Sequence, residues 1–178
     1  MIHEIRELKS KLRLLTEKDD KIFEFLLLET FQAGLSWITI LKKRENLRQA
    51  FSNFDYKKIS NYSEKKLEEL RLDAGIIRNR LKIKAAKTNA ISFIKIQKEF
   101  GSFSKYIWRF VDNKPIQNNF ISLSELPVNT PLSDKISSDL KKRGFTFIGT
   151  TMVYAHMQAM GMVNDHTTYC FRYNEVFR

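Results

Sequence analysis

The chain has 178 residues, 43% apolar and 29% charged, which fits one packed globular domain and excludes a disordered or low-complexity chain. Its 31 Lys and Arg against 20 Asp and Glu give a net charge of +11, which points to a polyanionic partner, nucleic acid above all. Cys170 is the only cysteine, so no intrachain disulfide forms, and no run reaches the roughly 18 apolar residues of a membrane span. With no signal-peptide core at the N-terminus, a soluble cytoplasmic protein without membrane contact is expected.

In chain order, Ile5, Leu8, Leu12 and Leu15 are spaced for a short amphipathic helix over residues 2–15. A second helix runs from about Asp20 to Phe31 or Gln32. Gly34 is placed to stop it, and Ser36 to cap a third helix reaching about Phe51. Ser63 is the cap of a helix over Glu64–Leu72, with Gly75 as its terminator. After the turn "GIIRNR" comes a long basic-faced helix, "LKIKAAKTNAISFIKIQKEF", and then a shorter one in "SFSKYIWRFV". Residues 115–129 lack periodicity and read as an ordered loop. Thr130 and Pro131 open a helix that ends at Gly144, and "GFTFIG" separates it from a last helix over Thr150–Met160. No strand-length alternation competes, so the fold class is all-α, a single domain over 1–178.

Three basic runs lie beside expected turns: Leu41–Arg44, Arg78–Lys84 and Leu140–Gly144. In the last, Gly144 and Gly149 allow a sharp turn between two helices, and Lys141, Lys142 and Arg143 bring charge next to it. The free N–H groups at Thr150 and Thr151 then suit a phosphate. Alone, this pattern fits either an ordinary αα-turn or a hairpin gripping a DNA strand. "DAGIIRNRLKI", with Arg78, Arg80 and Lys82, is a weaker second hairpin.

These strings together carry a resemblance. "LETFQAGLSWITILKKRENLRQAF", "DAGIIRNRLKI", "LSELP", "TPLSD" and "LKKRGFTFIGTTMVYAHMQAMGMVNDH" occur in one order, followed by Cys170. From about residue 22 to 170 the chain resembles the DNA-3-methyladenine glycosylase I family of the helix-hairpin-helix DNA glycosylase superfamily. That resemblance implies a monofunctional enzyme that hydrolyses the N-glycosidic bond of alkylated bases, chiefly 3-methyladenine, in double-stranded DNA, and works as a monomer. It makes Glu29 the catalytic and base-binding carboxylate and Trp37 the ring that stacks on the extruded base. Gly34 and Leu35 become the wedge entering the duplex. Lys141, Arg143, Gly144, Gly149, Thr150 and Thr151 become the DNA-backbone contacts of a hairpin element over 140–161.

The first 18 residues depart from the family, which carries a Cys-x-Trp segment and a Tyr-His-Asp-x-Glu-Trp-Gly run there. By that resemblance the N-terminus is expected to be divergent or truncated, with the amphipathic helix in place of the zinc-binding and aromatic segment. His166 and Cys170 remain as half of a four-ligand zinc site, spaced i, i+4 if helical. His3 would complete a third ligand only by coincidence. The resemblance implies no cofactor for the chemistry, and with two of the four family ligands missing a structural zinc is expected to be absent or weakly held. Asn164 stands where the superfamily often has a catalytic Asp; Asp165 is expected to cap a helix or orient a His. His156 is expected to be a satisfied, half-buried histidine. The changed N-terminus also motivates an alternative, a non-catalytic DNA-binding protein that has lost the complete base pocket.

Overall fold

The computed structural model describes residues 18–174. The expected helix over 2–15 and His3 lie outside the described residues. The architecture grows around α1 (Asp19–Gln32), in which every residue from Ile22 to Phe31 is buried. A helix buried around its whole circumference belongs in the middle of a bundle rather than on its surface. Around it pack α2 (Trp37–Ala50), α3 (Tyr56–Ser60), α4 (Glu64–Leu72), α5 (Arg80–Phe100), α6 (Phe103–Trp108), α7 (Pro131–Lys142) and α8 (Thr150–Ala159). Aromatic rings fill the centre: Phe93 lies 5.2 Å from Phe23 edge-on and stacks on Phe103 at 4.3 Å.

Most helix starts follow local chemistry. Ser36, Ser63 and Thr130 accept the N–H groups of Thr39, Lys66 and Ser133, and Ser133 returns a bond to Thr130 in a capping box ahead of Pro131. Asn79, not foreseen as a cap, accepts from the N–H groups of Leu81 and Lys82 to start α5. One cap is tertiary. Asp19, at the start of α1, accepts from the N–H groups of Phe103 and Ser104 at 2.8 and 2.9 Å and so holds α6 against α1.

Two expectations need correction. Gly75 does not terminate α4; Asp73 caps that helix, and its carboxylate takes the Gly75 N–H while the Gly75 carbonyl receives Lys43 and Asn46 from α2. The loop over 115–129 also carries a short parallel pairing of β1 (Ile116–Gln117) with β2 (Val163–Asn164). It is too short to change the all-α class, but it pins that loop to the segment after α8.

Glu24 ties α1 to α2. The residue is 2% exposed, and its carboxylate accepts from Lys21 at 3.0 Å and from Arg44 Nε at 2.9 Å, with Arg48 at 3.5 Å. Burial pushes its carboxyl upward, but the Lys21 bond and the Arg44 charge outweigh it and hold it below its ordinary value of 4.5. The folded state therefore binds this proton less readily than the unfolded chain. The stabilisation is present above pH 4.5 and is lost as pH falls through the lower folded value. Glu24→Gln should cost about 2 kcal/mol in urea unfolding at pH 7 and flatten the acid limb of stability against pH.

Candidate base-recognition site

The C-terminal end of α1, the turn after it and the first residue of α2 bring four of the expected residues into one stretch. Gly34 has φ +77 with open space where a Cβ would stand, so the backbone turns left-handed at an unobstructed tip. Leu35 follows it, more than a third exposed. Trp37 opens α2 half-buried against the core. Glu29 lies inside, at 4% exposure, on the preceding turns of α1.

A lysine fixes this turn from beneath. Lys82 of α5 is 5% exposed and donates its Nζ to the carbonyls of Phe31 at 2.8 Å and Ala33 at 2.6 Å. These are carbonyls that α1 leaves without helical partners, at the end of the helix where a cation is favoured. Burial lowers the Lys82 pKa from its ordinary value. Lys82 was expected as a DNA-facing charge; it points inward because it sits on the buried stripe of α5 with Ala86, Asn89, Phe93 and Ile96. The basic runs split in the same way elsewhere. Lys43 is bonded to Gly75 and Arg44 to Glu24, which leaves Lys42 exposed, together with Arg78, Arg80, Lys84, Lys141 and Lys142.

Glu29 and Glu24 are both buried, and their partners differ. Glu29 Oε2 lies 2.7 Å from His156 Nδ1 of α8, its only hydrogen-bond partner through the side chain among the described residues. Its Oε1 accepts from no described donor. His156 corrects the sequence reading: it is 5% exposed, one nitrogen pairs with Glu29, and Nε2 has no hydrogen-bond partner among the described residues. Its signal in the sequence was a lone ionisable side chain on an apolar helix. Nothing local tied it to a residue 127 positions away.

The hairpin between α7 and α8 is held from inside. Asn89 accepts from Thr146 N–H at 2.8 Å and donates to the Thr146 carbonyl at 3.0 Å, a reciprocal clamp on the tip. Ser137 donates to the Ile148 carbonyl at 2.7 Å. Gly144 has φ +94 and a Cβ there would stand 3.0 Å from Ser92 Oγ, so this corner requires glycine. Lys141, Gly144, Gly149 and Thr151 are exposed, and Gly149 begins α8 with no side-chain cap. The other two expected backbone contacts are engaged elsewhere. Thr150 bonds to Ser133 at 3.0 Å and to Asp134. Arg143 bonds to Asp139 at 2.9 Å and Glu99 at 2.7 Å and lies over the Phe100 and Tyr106 rings.

Beyond α8, Asp165 is not a helix cap. It accepts from Asn118 at 2.6 Å, Tyr154 at 2.7 Å and Gln158 at 2.6 Å, clamping the chain after β2 to α8 and to the 115–129 loop. Asn164 is buried and bonds to Gln117 and to the Tyr173 carbonyl. His166 and Cys170 sit in irregular turns rather than on a helix, yet His166 Nδ1 and Cys170 Sγ come within 3.5 Å. Among the described residues, no three His, Cys, Asp or Glu side chains are grouped to hold a metal. A structural zinc takes four ligands, so this pair does not make a zinc site with the described residues alone.

The methyladenine glycosylase profile matches residues 14–173. The chain belongs to the methyladenine glycosylase family. It is 48% identical over 153 residues to the DNA-3-methyladenine glycosylase 1 of Escherichia coli (strain K12), covering 86% of this chain and 82% of the relative. A crystal structure of a 3-methyladenine DNA glycosylase I superposes with a TM-score of 0.83 at 47% identity, covering 87% of this chain and 85% of that one. The 3-methyladenine DNA glycosylase I of Staphylococcus aureus, solved for the structural basis of 3-methyladenine recognition, matches with a TM-score of 0.84 at 32% identity, covering 87% and 82%. The helix-hairpin-helix glycosylase fold follows for this family member. No described helix is long and apolar enough to cross a membrane.

Lys82→Met removes both bonds to the end of α1 in this methyladenine glycosylase. It should lower unfolding stability by about 2 kcal/mol, while Lys84→Met on the exposed face stays within about 0.5 kcal/mol, both read by urea titration.

Proposed function

We propose that this family member is a monofunctional DNA glycosylase that releases 3-methyladenine from double-stranded DNA as one monomeric, cytoplasmic unit. Methylation at N3 makes the base cationic, so the bond to C1′ can break with its electrons going to the base. Water then adds to C1′ and releases one proton to solvent, and an abasic site remains. The protein's tasks are to extrude the base and to hold the charged one selectively. The step runs through substrate charge, water and side chains, with no cofactor.

The observation that carries this reading is the contrast between the two buried carboxylates. A buried charge is ordinarily matched by an opposite charge, as Glu24 is by Lys21 and Arg44. Glu29 is equally buried but has no Lys or Arg beside it among the described residues. Its charge is left for a cation that arrives with the substrate. Glu29 Oε1 would accept from the base edge, and Trp37 would stack on the ring with a cation–π contribution of about 1–2 kcal/mol. Gly34 and Leu35, at an open and exposed turn, would enter the duplex and fill the space the base leaves.

Sequence-independent grip falls to the hairpin element over 140–161. Lys141 supplies charge, and the uncapped start of α8 at Gly149, Thr150 and Thr151 presents N–H groups to a phosphate. Gly144 and the Thr150 hydroxyl shape the element, and Arg143, bonded to Glu99 and Asp139, braces it. The names of the relatives in Escherichia coli and Staphylococcus aureus, both 3-methyladenine glycosylases, support the substrate.

In single-turnover assays on methylated duplex DNA, Glu29→Gln should slow 3-methyladenine release about 100-fold and Trp37→Ala about tenfold, with affinity for undamaged duplex unchanged. Duplex binding by the wild-type protein without any base release would instead favour a binding protein that has lost catalysis.

A further inference from the structure

Glu29 and His156 meet through one buried hydrogen bond. Glu29 has three rotatable side-chain bonds, and the one hydrogen bond that holds its carboxylate is to His156 Nδ1, 2.7 Å from Oε2. An ionised carboxylate only accepts hydrogen bonds, so the proton between them resides on Nδ1. The rest of the ring lies in a narrow apolar cleft between α1, α6, α7 and α8, with Leu26, Phe103, Ile136, Met152 and Val153 among its walls. No other charged or titratable group lines that cleft, and Nε2 has no partner among the described residues. With no acceptor for a second ring proton at Nε2, the cleft suits the neutral ring that carries its one proton on Nδ1.

Building on the role given to Glu29 above, we propose that His156 is a positioning residue for lesion selection. Its neutral Nδ1–H locks the carboxylate so that Oε1 faces the extruded base, without cancelling the negative charge that the cationic base seeks. A Lys or Arg would anchor the carboxylate equally well and neutralise it, as Arg44 does at Glu24. The neutral imidazole orients and leaves the charge in place.

The test compares wild type with Glu29→Gln, His156→Phe, His156→Asn, His156→Gln and the Glu29→Gln/His156→Phe pair. Each is measured for single-turnover release of 3-methyladenine, affinity for undamaged duplex and thermal midpoint. His156→Phe keeps the ring shape and loses the donor; release should slow about 10- to 100-fold with duplex affinity unchanged. His156→Asn places an amide N–H near the position of Nδ1 and should recover most of the rate. His156→Gln, whose amide reaches the Nε2 position, should not. This Asn–Gln comparison decides the matter even if the Phe variant folds poorly. The double variant should be no slower than Glu29→Gln alone, because the histidine acts only through the carboxylate.

A His156→Phe enzyme as fast as wild type beside a slow Glu29→Gln overturns the role of His156 and leaves that of Glu29 standing. Additive losses in the double variant, or no recovery with Asn, also overturn it, since they mark a packing role. A Glu29→Gln enzyme as fast as wild type overturns the reading of Glu29 itself, and the role of His156 with it.

Discussion

A helix buried on every side must find an answer for each polar group it carries, and α1 meets that demand with a different neighbour each time. Asp19 is answered by the N–H groups that begin α6, Glu24 by Arg44 of α2, and Glu29 by His156 of α8. The carbonyls at its end are answered by Lys82 of α5, while Thr30 turns back to the Leu26 carbonyl within the helix. Apolar packing brings these helices together without direction. The polar answers set how each helix is turned about α1, because a misplaced partner would leave a buried group unsatisfied at a cost of about 1–3 kcal/mol.

The same arrangement places structure and recognition on one rigid element. Glu24 and Glu29 are five residues apart on α1, and they differ in what stands opposite. One meets guanidinium and ammonium groups; the other meets an imidazole. Recognition by the second needs the helix held firmly, because a carboxylate misplaced by an ångström loses much of its preference for a given base edge. Lys82 reaches the end of the same helix, so the exposed turn with Gly34 and Leu35 inherits that rigidity.

What the sequence made legible was what is local. Helix starts at Ser36, Ser63 and Thr130 could be read because a cap acts within three residues, and the left-handed stop at Gly34 for the same reason. The turn with Glu29 and Trp37 on either side stood out through its resemblance to a family, not through its chemistry. Long-range pairing stayed hidden. Lys43, Arg44, Lys82 and Arg143 read as charges for DNA, but their partners come from other helices. Lys82 did leave a trace, since its helical spacing from Ala86, Asn89 and Phe93 puts it on an otherwise buried stripe. His156 left a fainter one, and Asn89 could not be told from any other polar residue of a long helix.

Asn89 gives the hairpin a thermodynamic character. Its side chain makes two opposed bonds to Thr146, so the tip between α7 and α8 has its shape before any ligand arrives. The loss of backbone freedom in that turn is settled when the protein folds, rather than at each encounter with a duplex. An enzyme that must sample many undamaged positions for each damaged one then repeats its grip without repeating that entropic loss.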